Sequence, residues 1–276
     1  MRNNDDRLGA KSKDSSPAAT SQSAKTGPAP LDFVRPVTVL ALPSEGKLYP
    51  ESHPLHNQDT IEIRQMTAAE EDILTNRTLL KKGLAIDKFL ERIMIDCPVG
   101  PNDLLVSDKN AVLIQARIDG YGPAYKTRVT CPACQTVQKK QFNLFECLHT
   151  TTAEVTEENV EILPSGNALV ETSNGWQIEI RPLVGSDESS IVAEEGKNAI
   201  QKQLQSMIVS VSGHSDTVTI NKAIEHLGSL DSRMVRKVYS QAFPTVGLRS
   251  QFQCRQCDHN TELEVPLNAE FFWTDL

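Results

Sequence analysis

The 276 residues carry a net charge of −8, with 39% hydrophobic and 5% aromatic side chains, enough for a substantial core in one large domain or two modest ones. No apolar run reaches bilayer-spanning length, and the Met-Arg-Asn-Asn-Asp-Asp start has no apolar signal segment, so neither a membrane protein nor a secreted disulfide scaffold is expected. Residues 1–30 hold five cations against three acids, which leaves −10 on the remainder, and so acidic a body argues against a broad nucleic-acid surface.

Residues 1–30 are rich in Ser, Ala, Pro, Lys and Thr and contain no aromatic side chain. Such a segment buries too little surface to offset its ordering entropy, and reads as a disordered or partner-bound tail. Residues 31–54 are punctuated by proline and read as an extended segment. Within it, Pro43-Ser44-Glu45-Gly46 predicts a surface turn with Gly46 at positive φ.

Ile61-Glu62-Ile63-Arg64 alternates like a half-buried strand. Thr67 with Glu70 three residues on predicts a capping box, opening one helix that carries Ile73, Leu74, Leu79 and Leu80 and ends at Gly83. A second helix is expected over Ile86–Ile95 and a third from Ser107 or Asp108 to about Arg117. Gly120 and Gly122 break the third, and Tyr125–Val129 is a strand that delivers Cys131. Phe142 and Leu144 follow on a return strand.

The chemistry is carried by Cys131-Pro132-Ala133-Cys134 and Cys254-Arg255-Gln256-Cys257. Each Cys-x-x-Cys hook turns two thiolates toward one point, and two hooks supply the four ligands of a closed tetrahedral Zn²⁺ site, at about 2.3 Å from each sulfur. In a reducing compartment this spacing is more often metal-binding or redox-active than a disulfide. No obvious thiolate activator stands beside either hook, which favours structural zinc over redox chemistry. The residue after the second cysteine needs positive φ in such a hook, and here it is Gln135 or Asp258 rather than glycine.

The hooks are far apart in sequence, and the second half repeats the order of the first. Ile178-Glu179-Ile180-Arg181 repeats Ile61-Glu62-Ile63-Arg64. Asp108 precedes Cys131 by 23 residues, and Asp231 precedes Cys254 by 23. Helical stretches are expected over Ser186–Val211, Thr219–Leu227 and Asp231–Gln241, then a strand over Leu248–Phe252. The fold expected is α+β: two internally duplicated helical units, residues 55–148 and 172–276 joined by a linker at 149–171. Each unit has a short β zinc-hook hairpin, and the two hooks meet at one four-cysteine zinc site.

Other candidates read more simply. Cys97 and Cys147 suit buried thiols, and His53, His56 and His259 suit loops and turns. Glu70-Glu71-Asp72 and Glu194-Glu195 read as solvated helix faces. The chain has no Gly-x-Ser-x-Gly elbow, phosphate-binding glycine loop or His-Glu-x-x-His pair, and a closed metal site leaves no open position for chemistry, so a non-enzyme is expected.

The opening Leu42-Pro43-Ser44-Glu45-Gly46-Lys47-Leu48-Tyr49-Pro50, the Glu70-rich helix, Arg117 through Tyr121-Gly122, the first hook and the ending Glu270-Phe271-Phe272-Trp273 resemble the bacteriophage T4-type baseplate protein family. The resemblance covers about residues 38–276. It implies a virion structural protein of contractile-tailed phages, assembled in the host cytoplasm and placed at the tail baseplate around the hub. Its implied partners are other baseplate and hub proteins, or further copies of itself, without nucleic acid or a membrane span. Leu42, Pro43, Tyr49, Phe271, Phe272 and Trp273 are the expected partner-binding residues, since extended and aromatic segments are common anchors.

Overall fold

The alternation around Ile61 and Ile63 does form a strand, and both side chains are buried. The computed structural model describes residues 34–151, 160–193, 198–265, 267 and 269–272, and the 1–30 tail and Trp273 lie outside them. β1 (Val37–Ala41) pairs antiparallel with β2 (Thr60–Arg64). Two short helices follow, α1 (Ala68–Thr75) and α2 (Arg77–Lys81), where one was expected. Asn76 makes the break, its side chain accepting from Thr78 N and Leu79 N and so restarting the helix. α3 (Ala85–Ile93) stops before the expected Ile95, because β3 (Met94–Ile95) adds to β2 as a third strand.

Thr67 and Glu70 form the anticipated capping box, but Glu70 is buried rather than solvated. Its carboxylate accepts from Thr67 N at 2.9 Å and Oγ1 at 2.7 Å, and from the Arg35 guanidinium at 3.2 Å. Those bonds are what allow a carboxylate to be taken out of water.

α4 (Val106–Tyr121) is longer than expected and passes through Gly120 before Gly122, at φ 78°, ends it. Gly120 is tolerated inside the helix because Met66 covers it: an added Cβ would lie 2.6 Å from the sulfur. β4 (Ala124–Thr130) and β5 (Val137–Asn143) form the first hook hairpin. Leu144 begins the one-turn α5 (Leu144–Cys147) instead of extending β5, with Asn143 as its cap.

The stretch 149–171, expected to be a linker, is largely strand where it is described. It holds most of β6 (Leu148–Thr151), all of β7 (Val160–Ile162) and β8 (Ala168–Glu171). β9 (Gln177–Ile180), α6 (Gly185–Ala193) and α7 (Ala199–Met207) come next. The end of the expected Ser186–Val211 helix is β10 (Ile208–Val211), which pairs with β9. α8 (Thr217–His226), α9 (Ser229–Ala242), β11 (Thr245–Gln253) and β12 (Asn260–Val265) complete the order, before a 3-10 turn over Ala269–Phe272.

The sheets run β1-β2-β3, β10-β9-β8-β7, β12-β11-β6 and β4-β5. One core spans Leu42 to Leu144 and takes in Val246, Leu248, Val265, Phe271 and Phe272, and a second spans Ala168 to Phe243. The end of the chain therefore completes the core made by its beginning. Asn110 on α4 donates to Val246 O at 3.0 Å, tying β11 to that core. A backbone bridge between Leu105 and Val184 joins the two cores beside α4. Together these contacts lay the second hook hairpin next to the first.

Candidate metal centre

Both hooks make the same turn. In the first, Cys131 N donates to Thr136 O at 3.0 Å and Gln135 N to Cys131 O at 2.9 Å. In the second, Cys254 N donates to His259 O at 2.9 Å and Asp258 N to Cys254 O at 3.1 Å. Gln135 and Asp258 take the left-handed conformation expected of them, at φ 58° and 54°. The registers agree too: Thr130 faces Val137, and Gln253 faces Asn260.

The turns bring Cys131, Cys134, Cys254 and Cys257 together, with every sulfur within 4.8 Å of the other three. Across the hooks, Cys131 and Cys257 are 3.8 Å apart at sulfur, and Cys134 and Cys254 are 3.6 Å apart. A tetrahedron with metal–sulfur bonds of about 2.3 Å has edges of about 3.8 Å, so the cluster has the size of a four-thiolate site. Cys131 and Cys254 are fully buried and pack with Phe252, while Cys257 reaches the surface.

Two neighbours complete the shell. Gln138 Nε2 donates to Cys254 Sγ at 2.9 Å, and its Oε1 accepts from Arg255 N at 3.2 Å. Gln256 N also donates to Cys254 Sγ, at 3.4 Å. Nothing in the Cys-x-x-Cys spacing marks Gln138. It becomes legible only once the two hairpins are known to lie side by side.

Four sulfurs this close cannot all ionise without a cation. Thr136, through its hydroxyl and amide, holds the Cys134 thiol down to about 6. At Cys257 the His259 backbone works in the lowering direction, yet the neighbouring Cys134, Cys254 and Cys131 push that thiol up to about 12. A dication removes this conflict by binding all four as thiolates, and soft thiolate donors suit zinc. The donor set fits a structural metal with every position filled.

Residues 36–273 match the family model described as T4 bacteriophage base plate protein. The chain belongs to that family. No curated protein and no solved structure gives a significant match.

The other expected site residues of this baseplate-family chain lie elsewhere. Leu42, Tyr49, Phe271 and Phe272 are buried in its own core, at 3%, 2%, 1% and 1% exposure, and Pro43 is half-buried. Buried side chains offer no surface to a partner; these four hold the fold. Phe272 packs edge-on against Phe89 with centroids 4.8 Å apart, and Phe271 O accepts from Arg117 Nε at 3.2 Å. Tyr49 OH donates to Asp108 at 2.8 Å and accepts from Leu105 N at 3.0 Å. Burial and the Asp108 charge push its pKa well above the usual phenol value. Cys97 and Cys147 are not among the clustered thiols. His53 stacks on Tyr49, and His56 Nδ1 contacts Tyr49 O. No helix among the described residues is long and apolar enough to cross a membrane.

Proposed function

We propose that this chain is a structural, non-enzymatic component of a phage tail baseplate, associated with the central hub and its assembly. It would be assembled in the host cytoplasm and carried in the virion. The family match over residues 36–273 carries this reading. We further propose that Cys131, Cys134, Cys254 and Cys257 hold one structural Zn²⁺. The size of the thiol cluster and the matching hook turns support it. In this role the ion staples the end of the chain to its first half, giving a rigid unit for assembly with other baseplate and hub proteins.

We also read the chain as two copies of one plan. Support comes from the sheets, where β1-β2-β3 and β8-β9-β10 repeat one order with α helices between the second and third strands. A second support is a repeated clasp. Ser44 N and Oγ donate to Asp108 at 3.0 and 2.7 Å, while Ser173 N and Oγ donate to Asp231 at 3.0 and 2.8 Å. This parallel reaches upstream of residues 55 and 172, to β1 and β8.

Quantitative mass spectrometry of purified virions tests the function. The account expects the chain in mature particles at a fixed stoichiometry. A chain needed for tail formation but absent from finished particles would instead be an assembly chaperone.

A further inference from the structure

We infer that the outer edge of β1 binds an extended apolar and acidic segment of a neighbouring protein as an added antiparallel strand. Pro36 O accepts from Gln65 N and Leu42 N donates to Asp59 O, which fixes the pattern of the β1–β2 ladder. Thr38 and Leu40 then turn their backbone groups to β2, while Val37, Val39 and Ala41 turn theirs outward. Among the described residues no strand pairs with that edge. Val37 and Val39 are 50% and 63% exposed. Unpaired N–H and C=O groups in a row beside exposed valines are a template for another strand.

The sheet of β8, β9 and β10 has the same edge filled. Ile63 faces Thr38 and Met94, and Ile180 faces Ala168 and Ile208, so β1 corresponds to β8 residue for residue. Val39 and Leu169 correspond, opposite Glu62 and Glu179. Leu169 faces Glu161 of β7, and its neighbours Ala168 and Val170 are fully buried. Thr38 and Leu40, at the matching places, stay half-buried. β7 is Val160-Glu161-Ile162, so the strand that suits this edge has β-branched apolar residues at alternate positions.

The chain ahead of β1 does not double back as β7 does. β7 reaches β8 through a turn in which Gly166 N donates to Leu163 O at 2.9 Å. No such turn precedes β1: its ladder to β2 runs on to Pro36, and the Arg35 side chain is held by Glu70. The entering chain is thereby led along the strand and away from the open edge.

Charge selects a different protein over a second copy. Arg64, opposite Val37, has no ion pair among the described residues, and its buried Nε has no hydrogen-bond partner. Arg181, at the corresponding place, holds Asp187 through two bonds of 2.9 Å. Glu70 stands six residues after Arg64, as Asp187 does after Arg181, but it is taken by Thr67 and Arg35. An added strand that answers Arg64 therefore brings a carboxylate opposite Val37. Val37–Ala41 contains no acid, so a second β1 cannot supply it. This inference rests on the sheet geometry alone and goes beyond the baseplate reading.

The test uses the full chain and a fluorescein-labelled peptide, Ser-Val-Thr-Ile-Glu-Ser, followed by anisotropy. Its Val, Thr, Ile and Glu are set to face Leu40, Val39, Thr38 and Val37 in turn. N-methylation of the peptide threonine removes a donor aimed at β1 and should weaken binding about tenfold or more. N-methylation of the isoleucine, aimed away from β1, should leave it within about threefold. Val39→Pro removes an N–H that β2 does not use, and should reproduce the tenfold loss with Tm and zinc content retained. The methylated peptides decide the matter even where that variant perturbs the fold. The wild type should also prefer the Glu peptide to its Gln version, and Arg64→Gln should erase the preference. No binding by the wild type, equal losses from the two methylations, full binding by a folded Val39→Pro chain, or a Glu preference that survives Arg64→Gln would overturn the proposal. So would proof that this protein fills the edge itself. A dimer that Val39→Pro dissolves, or a gain of about tenfold in peptide affinity in the Leu31→Asp, Phe33→Asp variant, would show that.

Discussion

Gln138 bonds across the hairpins to Cys254, a residue 116 positions away in sequence, at 2.9 Å. Its amide oxygen returns to Arg255 N, so one side chain on the first hairpin holds both the sulfur and the turn of the second. Partners that donate to metal ligands fix ligand orientation and are commonly worth 10–100-fold in metal affinity. Gln138→Leu should therefore weaken zinc binding by about that factor while leaving the fold intact when zinc is in excess. Competition with a chromophoric chelator measures it.

The two serine–aspartate clasps should differ in strength. Asp108 is fully buried and also takes the Tyr49 hydroxyl, whereas Asp231, buried too, takes among the described residues the amide and hydroxyl of Ser173 alone, on an exposed turn. Asp108→Ala leaves buried donors unsatisfied and is expected to cost about 3 kcal/mol, against about 1 kcal/mol for Asp231→Ala. Urea unfolding of the zinc-loaded chain gives both values.

Glu70 and Asp108 should drive acid stability in opposite directions. Burial works to raise the Glu70 pKa, but hydrogen bonds from Thr67 and Arg35 outweigh it and hold the carboxyl below its ordinary value. The unfolded chain then takes up the proton first, so this stability is present above the ordinary pKa and is lost as pH falls through the folded one. Burial at Asp108 prevails over the bonds from Ser44 and Tyr49 and raises its pKa. Protonation there favours the folded state, so that contribution is full at low pH and is lost as pH rises through the folded pKa. Between about pH 7 and pH 3, Glu70→Gln should flatten the acid loss of stability and Asp108→Asn should steepen it.

The end of the chain should behave as core rather than as an arm. Phe272 is buried against Phe89 and Phe271, so Phe272→Ala should cost about 3–5 kcal/mol in urea unfolding. Deleting residues 271–276 should abolish a stable fold, not merely incorporation into tails. A truncated chain with wild-type stability would restore the docking role expected for these aromatics.

The parts of the fold fixed by local chemistry were legible in the sequence. Thr67 and Glu70 announce their cap, Cys131 and Cys254 their hooks, and Asp108 and Asp231, each 23 residues before its hook, both fall in the first turn of a helix. What the sequence concealed is set by contacts made after folding. Asn76 splits a helix by accepting from the backbone of Thr78 and Leu79, which composition alone leaves undecided. Met94–Ile95 and Ile208–Val211 become strands because β2 and β9 lie beside them, overriding an apolar pattern that suits a helix equally well. Tyr49, Phe271 and Phe272 look like exposed anchors until the core that receives them is known.

The most direct test of the whole account is zinc K-edge absorption on chain purified without chelators, read together with metal content. The account predicts one zinc per chain in a shell of four sulfurs at about 2.3 Å, with the Cys257→Ser variant losing one sulfur from that shell. Less than half an equivalent of zinc, or a shell dominated by nitrogen and oxygen, would contradict it.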